Sequence, residues 1–145
     1  PQTTAELQTA VDMWVDDNVT ALSTYGEINT WDVSLITNMS NLFKYTTFND
    51  DIGNWDISNV TSLYKMFEGT TFNHDLTNWN TSNVTDLGWM FARNDHFNGD
   101  VTTWDVSKVT SLRETFRGQS GSAFNQDISK WNVSSVTNMF NMLLV

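Results

Sequence analysis

The sequence predicts an α/β repeat solenoid, with short parallel strands on one face, short helices on the other and an α-helical cap at the N-terminus. Three observations carry this reading. Trp31, Trp55, Trp79, Trp104 and Trp131 recur at spacings of 24, 24, 25 and 27 residues. The text around each is nearly the same: F-N-D-D-I-G-N-W-D-I-S-N-V-T-S-L-Y-K-M-F at 48 to 67 returns as F-N-Q-D-I-S-K-W-N-V-S-S-V-T-N-M at 124 to 139. A unit this short cannot bury an apolar face alone, so the copies must stack and share one core. The 145 residues therefore divide into a cap, 1–26, and five tandem repeats, 27–145, the last incomplete, all in one folding unit.

In the cap, Thr3 and Glu6 stand at capping-box spacing, which marks a helix start. Leu7, Ala10, Val11 and Trp14 then form one apolar stripe on a helix of about three turns, placed to close the open end of the stack. Within a copy, Ile52, Trp55 and Ile57 have the L-x-x-L-x-L spacing of a leucine-rich repeat, which predicts a strand over roughly 54–58. Val60, Leu63 and Phe67 follow at i, i+3 and i+7 with Met66 beside them, which predicts a helix of about two turns. The return carries Phe72 and its equivalents Phe48, Phe97 and Phe124. Two copies take extra residues here, near Asn94-Asp95 and in Gly118-Gln119-Ser120-Gly121-Ser122, read as surface bulges.

Composition narrows the function. A net charge of −10 and a pI near 4.2 leave no surplus of Lys and Arg to hold a phosphate backbone, so nucleic acid is not an expected partner, nor is an acidic membrane surface. With no cysteine, disulfides, thiol chemistry and cysteine zinc sites are excluded. No apolar run approaches a membrane span, and the order of a signal peptide is missing from the N-terminus. Pro1 and the ending Leu144-Val145 inside a repeat lead us to expect a trimmed chain, whose natural form carries further repeats or domains.

The repeat text W-D-V-S-x-V-T-x-M resembles the BspA-type leucine-rich repeats found in mycoplasma surface lipoproteins and in many microbial and algal surface proteins. The likeness runs from residue 27 to about 143, and A-E-L-Q-T-A-V-D-M-W with Y-G-E-I resembles the stretch that precedes such arrays. It implies an extracellular or cell-surface location and a role in adhesion or partner binding, and supplies no catalytic residue. Thr81 in place of Val and Thr115 in place of Met depart from the pattern.

The polar columns hold the candidate sites. Ser34, Ser58, Ser82, Ser107 and Ser134 precede each predicted helix and read as N-caps, with Thr37, Thr61, Thr85, Thr110 and Thr137 three residues later. A regular Thr array on a flat sheet could instead order water, as an ice-binding surface does. Asp32, Asp56, Asn80, Asp105 and Asn132 form one acid and amide column; Asp51, Asp75, Asp100 and Asp127 form another. Stacking at about 4.8 Å sets like charges close together, so each must be hydrogen-bonded, screened or bridged. Turns in which Asp and Asn bond the backbone are one answer, and calcium between Asp51, Asp75, Asp100 and Asp127 is the other. No other cofactor is expected.

The outward residues of the predicted strands, Asn54, Asp56, Ser58, Asn78, Asn80, Ser82, Thr103, Asp105 and Ser107, make an acidic, polar face. Lys44, Lys65, Arg93, Arg113 and Arg117 fall on the helix side. The expected function is a surface recognition or adhesion module that holds a protein or glycan on the acidic face; the alternative is a structural or ice- or mineral-binding repeat protein. An enzyme is not expected, because the polar residues follow the repeat and no nucleophile stands out. His74 and His96 read as solvated loop residues. The Trp column reads as core, with exposed aromatic platforms the alternative, and Trp89, off the column, as partly exposed.

Overall fold

The structure, a computed structural model, describes residues 1–144; Val145, the end of the last predicted copy, lies outside the described residues. Helix α1 spans Thr4–Asp16 and starts where the sequence places it: the Thr3 hydroxyl accepts the Glu6 N–H at 3.1 Å. Glu6 reaches back one residue further than a capping box would, to the Gln2 N–H at 2.6 Å. The stripe Leu7, Ala10, Val11 and Trp14 is buried. A second helix, α2, Asn18–Tyr25, was not expected; Asp17 caps it by accepting the Thr20 N–H. α1 does close the stack, since Thr4 donates to the Asn38 carbonyl and Gln8 to the Leu42 carbonyl, both in the first copy.

The repeats do not form the predicted α/β solenoid. Among the described residues after the 3-10 turn Ile28–Thr30 there is neither helix nor extended strand. Neighbouring copies meet at isolated parallel bridges, Asn38 with Ser62, Ser62 with Asp86, Asp86 with Ser111 and Ser111 with Asn138. These lie seven residues after each Trp, inside the segment read as helix. The segment read as strand is two tight turns, closed by Trp55 N–H to Ile52 C=O at 3.1 Å and Val60 N–H to Ile57 C=O at 2.8 Å.

The hydrogen bonds explain why no helix forms. The N–H groups of Leu63, Lys65, Phe67 and Gly69 all point to the next copy, donating to Asp86, Gly88, Met90 and Ala92 at 3.0, 3.0, 2.9 and 2.9 Å. Those of Met66, Glu68 and Thr70 return to the carbonyl three residues back. An α-helix would spend all of them four residues back. Each first turn places its third residue at positive φ, as a type II turn requires: Asn41 at 63°, Lys65 at 58°, Trp89 at 59°, Glu114 at 53° and Asn141 at 51°. The i, i+3, i+7 spacing fits this run of turns as well as a helix, and periodicity alone does not separate them.

The same copies still share one core. Trp31, Trp55, Trp79, Trp104 and Trp131 are all buried. Their indole N–H groups donate to the carbonyl three residues before the preceding Trp: Trp55 to Ile28, Trp79 to Ile52, Trp104 to Leu76 and Trp131 to Val101, at 2.7 to 3.2 Å. Phe43, Phe67, Phe91 and Phe116 stack at 5.5 to 5.7 Å, each against a return Phe of its own copy at 3.7 to 4.1 Å. Buried aromatics of this size, at about 25 cal/mol per Å², give the main stabilising term. The departures fit in: Thr81 and Thr115 are buried, and their hydroxyls donate to the Asp105 and Leu87 carbonyls, both at 3.0 Å.

Candidate functional site

The acid column sits on tight turns, not strands. In each copy the Asp or Asn after the Trp accepts the N–H of the Ser two residues on: Ser34 to Asp32, Ser58 to Asp56, Ser82 to Asn80, Ser107 to Asp105 and Ser134 to Asn132, at 2.9 to 3.1 Å. The serines are therefore donors within these turns and not helix N-caps, because no helix follows them. Ser34 also gives its hydroxyl to Asp32 at 2.6 Å, and these bonds, hydroxyl first and N–H second, hold the Asp32 carboxyl below its ordinary value of 3.8. Hydrogen bonds from Ser58 and Ser107 lower Asp56 and Asp105 in the same way.

Asn54, Asp56, Asn78, Asn80, Thr103 and Asp105 are exposed, and Ser58, Ser82 and Ser107 half-buried beside them. These positions recur at the same place in each copy. Amides tie its copies together, Asn59 donating to the Ser34 carbonyl and Asn83 to that of Ser58, at 2.8 and 2.7 Å. The exposed threonines add a second tie: Thr61, Thr85, Thr110 and Thr137 each donate both N–H and hydroxyl to the carbonyl of the preceding Thr.

The second Asp column is hydrogen-bonded throughout. Asp51 accepts from Gly53, Asp75 from Asp100, Asp100 from Thr102 and Asp127 from Ser129, all backbone N–H groups at 2.8 to 3.0 Å. Asn49, Asn73 and Asn98 accept the N–H of the next Asn in turn. Among the described residues no three His, Asp or Glu side chains converge as metal ligands would. His74 meets the Asn49 carbonyl at 2.8 Å.

The opposite side carries groups that sequence reasoning did not single out. Glu68 and Glu114 are buried at 2% exposure each. Glu114 meets Arg117 at 2.7 Å and Arg113 at 3.5 Å. Glu68 accepts the Tyr45 hydroxyl at 2.8 Å, while its Oε2 has ion-pair neighbours, Lys44 at 3.6 Å and Lys65 at 3.9 Å, but no hydrogen-bond partner. The bond to Glu68, then burial, then the Glu68 charge push the Tyr45 phenol above its ordinary value of 10.0. Trp89, partly exposed, is flanked by Lys65 at 5.1 Å and Arg113 at 5.8 Å. Lys65 with Glu68 and Glu114 with Arg117 stand three residues apart, the spacing of a solvated ion pair on a helix, so nothing in the sequence marked the two glutamates as buried. The first insertion differs from its reading: Asn94 is buried and donates to the Phe72 carbonyl at 2.8 Å, so it is no surface bulge, whereas Gln119, Ser120 and Gly121 of the second are exposed.

A cleft of about 500 Å³ lies between the cap and the first copy, with Asn18, Glu27, Asn49 and Asp50 on its wall. Trp14 donates to Asp50 there at 2.8 Å.

The sequence pattern of the family described as Mycoplasma protein of unknown function, DUF285, matches residues 13–121 and 70–144. The chain belongs to the DUF285 family. Overlapping matches are what a row of near-identical copies produces, and together they take in the acid face and the basic side of this DUF285 chain alike. No curated protein and no solved structure matches it. Among the described residues no helix is long and apolar enough to cross a membrane.

Proposed function

We propose that this DUF285 chain is a cell-surface recognition module of the BspA type, which holds a protein or a glycan on its acid and amide face. One observation carries the reading: Asp32, Asp56, Asn80, Asp105 and Asn132 are exposed in a column, each fixed in the same turn by the same N–H. Side chains held this way lose little conformational freedom on binding, which favours recognition of a repeating or extended partner. Charge selects a basic protein segment or a polyhydroxylated sugar, and disfavours nucleic acid. Catalysis is not part of the proposal, since the polar groups repeat with the copies and no one position is chemically distinct. The BspA-type text around each Trp supports a location outside the cell.

Capture of the chain on arrays of glycans and of extracellular proteins tests this. Replacing Asp56 and Asp105 by Lys should abolish the strongest signals in a chain that still folds, with a somewhat lower melting temperature because Lys cannot accept the Ser58 and Ser107 N–H groups; undiminished capture would overturn the assignment. Running the array with calcium and with a chelator covers the column Asp51, Asp75, Asp100 and Asp127. Because those carboxylates already accept N–H groups, we expect no difference.

A second reading, an ice- or mineral-ordering surface, draws on the exposed Thr column, whose hydroxyl protons all run along the stack and leave the oxygen lone pairs outward. Thermal hysteresis that disappears on changing Thr61, Thr85 and Thr110 to Val would favour it, and its absence in the unaltered chain would remove it.

A further inference from the structure

The structure assigns a tetrahedral-oxyanion site, for sulfate or phosphate, to the cleft between Arg93 and Arg117 on the side opposite the acid face. It is independent of the function proposed above.

Five of the seven basic residues, Lys44, Lys65, Arg93, Arg113 and Arg117, gather on this side of a chain with net charge −10. Burying a carboxylate is costly, and a buried ion pair is weak support for stability, so Glu68 and Glu114 call for another role. Each holds a cation in place. Arg117 is fixed directly, Nη1 to Glu114 Oε2 at 2.7 Å. Arg93 is fixed through a relay: its Nη1 donates to the Tyr45 hydroxyl at 2.8 Å, and that hydroxyl donates to Glu68 at 2.8 Å. The relay crosses an entire copy and needs Gly69 beneath it, where a Cβ would lie 2.3 Å from the Tyr45 ring.

The cleft itself arises where the repeat is broken. Gly118 stands at the position that Arg93 holds one copy earlier, and without a side chain there a space of about 320 Å³ opens, bounded by Arg93, Arg117, Gly118 and Gln119. The inserted residues are not loose: Asp95 takes the N–H of Gln119 at 2.7 Å and of Ser120 at 3.0 Å. A guanidinium offers five N–H donors in a planar fork, and each of these two uses only its Nη1, Arg117 on Glu114 and Arg93 on the Tyr45 hydroxyl. The remaining donors suit the oxygens of a tetrahedral oxyanion, and two cations held in advance lower the ordering cost of binding it.

Isothermal titration of the full chain with sodium sulfate and with sodium phosphate, at constant ionic strength in chloride, reads the site. We expect saturable binding of one ion, weakened at least about tenfold by Arg93→Gln, an exposed position whose loss leaves the core intact. Because Arg117→Gln alone would leave the buried Glu114 with only the longer 3.5 Å contact to Arg113, the second variant is Glu114→Gln with Arg117→Gln, with the same expected loss. Lys108→Gln, on the acid face, should change nothing. Glucose 6-sulfate and glycerol phosphate run alongside: preference for the first names a sulfated sugar, for the second a lipid headgroup, and parity the free ion. No saturation by any of the four, or binding unchanged in Arg93→Gln, would overturn the site.

Discussion

Each Trp of the repeat acts twice, filling the core and bonding the previous copy through its indole N–H. Trp79 is 3% exposed and donates to Ile52 at 3.1 Å. Trp79→Ala should therefore cost about 3 to 5 kcal/mol in denaturant unfolding. Trp79→Phe keeps an aromatic ring and should cost less, with the N–H and part of the packing lost. That these residues face inward was legible from spacing alone, because every copy repeats them. The turns were not legible. The position with positive φ carries Lys65, Trp89 and Glu114 in three copies, where Gly or Asn would have announced a turn. A left-handed conformation costs such residues roughly 1 to 2 kcal/mol each. Here the cost is offset by the hydrogen bond each turn closes and by the N–H it frees for the neighbouring copy.

At the scale of elements, helix is confined to the cap: α1 has 13 residues and α2 has 8. Far-UV circular dichroism should show helix for about that share of the chain, and a spectrum with a helical turn in every copy would contradict the turn-built repeats. α2 escaped the sequence reading because its stripe is short, though Asp17 before Asn18-Val19-Thr20 is a sound N-cap signal. The Asp turns also set a pH dependence. Asp32, Asp56, Asp105, Asp100 and Asp127 are all lowered below 3.8, first by Ser or Thr hydroxyl bonds. The folded state thus binds these protons more weakly than the unfolded one. Their stabilisation is complete above about pH 4 and is lost as pH falls through the lowered values. Asn already serves at positions 80 and 132, so Asp56→Asn with Asp105→Asn should leave the melting temperature at neutral pH little changed. The same pair should flatten its fall in acid.

For the whole molecule, the stack separates two kinds of surface around one aromatic core. An acid and amide column lies on one side, and five cations with two buried glutamates lie on the other. The sequence made this polarity visible, since a fixed period puts equal residues on one side whatever the local backbone does. It did not show what the basic side is built from, because Tyr45, Gly69 and Arg93 meet only across successive copies. The central claim is that the Trp column is scaffold and the flanking acid column is the recognition surface. Array capture compared between Trp79→Phe and the Asp56→Lys, Asp105→Lys pair tests it most directly. The account predicts that the Trp variant melts earlier yet binds as before, whereas the Asp variant, though still folded, loses its partner. Lost capture in a still-folded Trp79→Phe, with capture intact in the Asp variant, would contradict it.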